Sequence, residues 1–202
     1  AAAAGAAPEA GAGGRGPAEE ALLDVLRGAD SQRLTLAGHS FGATALLRCL
    51  ETRREWWAGA CSGALLLDMW PGPLTNDTSG KAMDGLAAAL PVPFVLLLSE
   101  FFHTSDWYSG CFSRLAAAGR GRCLAAAAVP GTCHQWVSDA NLWAPGWLMR
   151  WFGLLGKRDH REAHVVTTQA IDASVRALLD PALRSGLEAE LRSLGLEGVA
   201  PG

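Results

Sequence analysis

The sequence predicts an α/β chain, a parallel sheet with flanking helices. Three observations lead there. Short, continuously apolar runs recur at residues 34–37, 64–67, 92–98 and 123–129, as expected of strands buried on both faces of a parallel sheet. Stretches of helical character separate them. A reactive side chain stands just past each run, namely Ser40, Asp68, Glu100 and His134, on the rim where an open parallel sheet collects its functional groups.

Taken in order, residues 1–16 form an Ala/Gly tract, expected to be disordered. Residues 17–27 read as an amphipathic helix with Ala21, Leu22, Val25 and Leu26 on one face, ended by Gly28 and Asp30. The first apolar run leads into Gly38-His39-Ser40-Phe41-Gly42 and then a helix through Ala45, Leu46, Leu47, Cys49 and Leu50 to about Arg54. Further runs lead to Asp68, to Ser99-Glu100, and to Pro130-Gly131-Thr132-Cys133-His134. Beyond His134 the chain reads as helical: a Trp-rich segment to about Gly153, then 163–179, then 181–194. The expected organisation is a disordered tract at 1–16, one domain at 17–196 and a tail at 197–202.

Bulk properties narrow the function. The chain has 202 residues, half of them hydrophobic, and a formal net charge of −3, which gives no nucleic-acid footprint. Its five cysteines (Cys49, Cys61, Cys111, Cys123 and Cys133) form no CxxC pair and no metal spacing, so no metal is expected. Their odd number leaves the compartment, cytoplasmic or secreted, open. Asn76-Asp77-Thr78 fits a glycosylation sequon, meaningful only in a secreted chain. No leader is visible, and no apolar run reaches the ~18 residues of a membrane span.

Gly38-His39-Ser40-Phe41-Gly42 between a strand and a helix has the form of a nucleophile elbow. A sharp turn lifts the serine hydroxyl above the sheet edge, and both glycines are expected where helix and strand backbones crowd. The alternative is an ordinary connection in which Ser40 caps the helix. A serine hydroxyl needs a base, and an imidazole needs a carboxylate to fix its tautomer. His134 follows a strand directly and is the best base. His39 is fixed beside the serine, and His103, His160 and His164 lack a strand-end position. The order serine, acid, histidine is that of α/β-hydrolases. Two acids qualify, Asp68 and Glu100, and strand order alone slightly favours Glu100.

Gly38-His39-Ser40-Phe41-Gly42-Ala43-Thr44, Leu67-Asp68-Met69-Trp70-Pro71, Ser99-Glu100-Phe101-Phe102 and Gly131-Thr132-Cys133-His134-Gln135 together resemble the platelet-activating factor acetylhydrolase family, Ca²⁺-independent serine phospholipases A2. The resemblance runs from about Asp24 to Leu179. It implies an α/β-hydrolase fold with Ser40 as nucleophile, Asp68 as acid, His134 as base and the backbone of Phe41 as one oxyanion donor. Glu100 becomes a structural neighbour. It further implies hydrolysis of short or oxidised sn-2 acyl esters of phospholipids with no cofactor. Family members carry further strands ahead of the elbow. Here only residues 1–33 precede that strand, so the chain is expected to correspond to a carboxyl half lacking the N-terminal strands.

The segment 135–156 carries Trp136, Trp143, Trp147, Leu148, Met149, Arg150 and Trp151. Aromatic rings beside a cation suit a membrane or lipoprotein surface, with Trp143, Trp147, Leu148 and Trp151 as candidate contacts. The i,i+4 spacing of Trp147 and Trp151 equally suits a helix packed on the sheet. Two other readings compete with the lipid esterase: a dienelactone- or polyester-type esterase on the same fold, and an inactive truncated remnant.

Overall fold

Each of the four apolar runs forms a strand of one sheet. The structure, a computed structural model, describes residues 28, 34–74, 81–119, 121–137, 145–151 and 156–199. Strands β1 (Leu34–His39), β2 (Cys61–Leu67), β3 (Phe94–Ser99) and β4 (Cys123–Val129) are parallel and lie in chain order. A short β5 (Glu197–Gly198) pairs antiparallel with β4. β3 starts at Phe94 rather than at residue 92, since Pro93 has no N–H for the ladder; its carbonyl instead accepts from Ala64 N at 2.9 Å. The expected tract at 1–16 and helix at 17–27 lie outside the described residues.

Helices fill the connections. α1 (Phe41–Thr52) and α2 (Arg54–Ala60) join β1 to β2, and α3 (Lys81–Ala89) joins β2 to β3. α4 (Glu100–Thr104) and α5 (Ser109–Ala118) join β3 to β4. After β4 come α6 (Gly146–Trp151), α7 (His160–Leu179) and α8 (Leu187–Ser193).

The two faces of the sheet are covered differently. Ala64 and Leu66 of β2 and Phe94, Leu96 and Leu98 of β3 pack with Leu47 and Leu50 of α1, Met83 of α3 and Phe112 of α5. The alternate residues Leu65, Leu67, Val95 and Leu97 pack with Ala170, Ala173 and Ala177 of α7 and Leu187 and Leu191 of α8. Crossovers that step in one direction with one hand place their helices on one face. The opposite face falls to the helices that follow the last parallel strand. Both pleat faces are thus buried, so β2 and β3 show no polar alternation.

Two details depart from the sequence reading. The chain breaks helix at Arg53 (φ −129°, ψ 47°) and resumes it as α2. Residues 197–198, read as the start of a tail, are paired: Val199 N donates to Ala126 O at 2.9 Å, continuing the link of β5 to β4.

Candidate active site

β1 ends at His39 and α1 begins at Phe41, leaving one residue for the whole turn. Ser40 takes φ 56° and ψ −123°, a conformation costing about 1–3 kcal/mol in a residue with a side chain. Hydrogen bonds on both sides hold it there. Ser40 N donates to Leu67 O (2.9 Å), and Ser40 O accepts from Trp70 N (3.2 Å) and Thr44 N (3.3 Å). A Cβ on Gly38 would sit 2.7 Å from the backbone of Ala43, so this glycine and the small, fully buried Ala43 permit the close approach. A Cβ on Gly42 would meet nothing within 4 Å. The expected crowding therefore applies to Gly38 and not to Gly42. Gly38 lies on the strand facing α1, whereas Gly42 sits within the helix where a methyl has open space.

Ser40 makes no side-chain cap to α1. Its Oγ lies 2.8 Å from His134 Nε2. His134 Nδ1 lies 3.2 Å from Oδ2 of Asp68, whose side chain is fully buried. A buried carboxylate needs donors, and Oδ1 of Asp68 takes a second one from Ser99 N at 2.5 Å. Asp68 N in turn donates to Leu97 O at 2.8 Å, fixing a residue at φ 42°. A carboxylate only accepts, so Nδ1 carries the imidazole proton and Nε2 is left to accept from the serine hydroxyl.

The imidazole reaches this position through the loop after β4. Gly131 (φ 75°) makes the turn, and its N–H donates to Glu100 Oε2 at 2.7 Å. Thr132 Oγ1 donates to Val129 O (2.6 Å), and Phe101 N donates to Thr132 O (3.3 Å). Arg158 N donates to Gly131 O (2.9 Å). The preference that strand order gave to Glu100 is reversed: Asp68 faces the imidazole, and Glu100 braces the loop that carries it. β2 lies beside the serine strand, so its end is the nearer one once the histidine loop has folded back.

Phe41 opens α1, where first-turn N–H groups have no acceptor within the helix. On α6, Trp147 and Trp151 are exposed, Leu148 is half-buried and Met149 is buried. The i,i+4 tryptophan pair therefore faces outward, and Met149 anchors the helix. Trp143 lies outside the described residues.

Sequence reasoning missed two neighbours of the imidazole. His39 was set aside because it cannot reach Ser40, yet its ring stacks on that of His134 at a centroid distance of 4.8 Å. Phe102 stacks on it as well, at 4.6 Å. Both lie inside motifs quoted above, but those motifs do not show that either ring meets His134, since both contacts are long-range. Burial and the neighbouring His134 hold His39 below the usual histidine range. Cys133, beside the base, is pushed the other way by burial, Asp68 and Glu100, so its thiol stays protonated near neutrality.

His39, Asp68 and His134 bring possible ligand atoms within 4.8 Å of one another. The rings of His39 and His134 are inclined by only 29°, so their in-plane lone pairs run side by side rather than converging on one point. His39 Nε2 is also engaged by the carbonyl of His134 (3.1 Å), and both nitrogens of His134 by Asp68 and Ser40. The cluster is the surrounding of a hydrogen-bonded imidazole.

A protein-family model described as platelet-activating factor acetylhydrolase, isoform II, matches residues 22–182. The chain belongs to that family. The acetylhydrolase match spans all four strand ends that carry Ser40, Asp68, Glu100 and His134. It places the chain in a family of ester hydrolases whose substrate class is phospholipid. Among curated proteins, none matches the chain.

Proposed function

We propose that the chain is a serine esterase on the α/β-hydrolase fold, cleaving the short or oxidised sn-2 acyl ester of phospholipids in the manner of a 1-alkyl-2-acetylglycerophosphocholine esterase. One observation carries this reading. A continuous relay runs from Ser40 Oγ through both nitrogens of His134 to the buried carboxylate of Asp68, with the serine on a strained strand-to-helix turn. Family membership supports the substrate class.

In the proposed reaction His134 Nε2 takes the proton of Ser40 as Oγ attacks the sn-2 carbonyl carbon. Asp68 stabilises the imidazolium that forms, and the N–H of Phe41 stabilises the oxyanion. The imidazolium then protonates the departing glycerol oxygen, leaving an acyl-serine and the lysophospholipid. Water, deprotonated by His134, releases the acyl group as a carboxylate and restores the serine. None of these steps calls on a cofactor. Trp147 and Trp151 on α6, with Leu148, offer an aromatic face suited to a membrane or lipoprotein surface.

Labelling by a fluorophosphonate tests the chemistry. The purified chain is expected to label rapidly and Ser40→Ala not at all. Asp68→Asn is expected to label about 10⁴-fold more slowly, because an amide facing Nδ1 favours the wrong tautomer. Turnover of a short-chain phospholipid above a water-soluble aryl ester supports the lipid assignment. The reverse preference points to a dienelactone- or polyester-type esterase. A folded chain that does not label overturns the esterase reading.

A further inference from the structure

Both nitrogens of the His134 imidazole are engaged, and two flat rings lie near-parallel to it. The ring of His39 lies against it at 4.8 Å and 29°, and the ring of Phe102 at 4.6 Å and 15°. Two rings at these separations avoid crowding each other when they take opposite faces of the imidazole, and that arrangement is part of the inference. Each is itself fixed. His39 Nε2 donates to the backbone carbonyl of His134 at 3.1 Å, which ties the end of β1 to the residue carrying the base. Phe102 is buried and stacks on Tyr108 at 5.1 Å and 22°, with Phe112 at 6.1 Å beyond. Its own N–H donates to Ser99 Oγ at 3.3 Å.

We infer that His39 and Phe102 are positioning residues that clamp the imidazole of His134 between two flat rings. The inference rests on the role given to His134 above. A clamp of this shape has a specific mechanical property. Parallel rings let the imidazole slide within its own plane and resist tilting out of it. The Nε2 lone pair lies in that plane, so the permitted motion carries it from Ser40 Oγ towards a departing oxygen while Nδ1 stays on Asp68. Tilting, which would turn Nε2 away from both, is blocked. The His39 side of the clamp stays uncharged because burial and the adjacent imidazole hold its pKa down, which spares the imidazolium form of His134 a like-charged neighbour.

Two replacements of His39 separate its ring from its hydrogen bond. His39→Gln keeps an N–H for the His134 carbonyl and removes the ring. His39→Phe keeps a ring and removes the donor. The clamp predicts that His39→Gln loses kcat by about 100-fold, the cost of a misplaced catalytic group, with KM unchanged. His39→Phe is expected to retain most of the wild-type kcat. Phe102→Leu, which keeps apolar volume without a flat face, is expected to fall with His39→Gln. Equal losses in both His39 variants, or no loss in His39→Gln, would overturn the clamp. Proton NMR of the His134 Nδ1–H gives a reading independent of turnover. A sharp resonance in the wild type and in His39→Phe that broadens in His39→Gln supports the clamp, and identical spectra in all three overturn it. If the wild type neither labels nor turns over, the esterase reading fails while the NMR comparison still decides the clamp.

Discussion

Gly38 and Gly42 flank the same serine, yet the molecule uses them differently. A methyl on Gly38 would meet Ala43 Cα and N at 2.7 Å, both backbone atoms that cannot yield without moving α1. Gly38→Ala is therefore expected to destabilise the chain by about 1–3 kcal/mol and to displace Ser40 from His134. Gly42→Ala meets open space and replaces a glycine within a helix, so stability is expected to hold or rise by up to about 1 kcal/mol. Urea titrations of the two variants check the contrast. The motif in the sequence treats the two glycines alike because it records spacing and not which backbone lies opposite. The same blindness to long-range neighbours kept His39 and Phe102 out of the site, and left Asp68 and Glu100 undivided until family resemblance separated them.

At the scale of elements, α7 shows how a helix reports its start. Asp159 Oδ1 accepts from Arg161 N (2.9 Å) and Glu162 N (3.2 Å), and these bonds hold its carboxyl below the usual range. The capping bonds contribute fully above the unfolded-state carboxyl pKa and are lost as pH falls through the depressed folded-state value. Asp159→Ala is expected to lower Tm at neutral pH, with the gap from wild type closing on acidification through that window. Thermal melts across the acid range measure it. β2, β3 and β4 were legible because burial on both faces leaves an apolar run of strand length. β1, whose residues are all half-buried or exposed, was legible from the serine turn that follows it. β5 was not legible. Two residues carry no periodicity, and Glu197–Gly198 become a strand only because β4 leaves part of its edge to pair. The outward turn of Trp147 and Trp151 was undecided for a related reason. Spacing identifies a helical face, but only the packing of Met149 shows which face is inside.

Across the whole molecule, the serine and the histidine belong to opposite ends of the parallel array. Ser40 closes β1, Asp68 closes β2, and His134 follows β4, with β3 between. Three strand spacings separate β1 from β4, roughly 14 Å, and each step adds about 20–25° of twist. The 2.8 Å contact between Ser40 and His134 is thus closed by a loop reaching back across two strands, braced on its way by Glu100 just past the end of β3, which bonds to Gly131 and Thr132 of that loop. Small changes in twist accumulate over three steps, so the contact opens before any neighbouring pair of strands has come apart. In a graded urea series, fluorophosphonate labelling of Ser40 is expected to fall at lower denaturant than the far-UV signal of the sheet, and coincident loss would contradict it. The site is a caliper whose jaws are β1 and the β4 loop: whatever flattens or winds the sheet, at any point along its width, is read out as the gap between a hydroxyl and an imidazole.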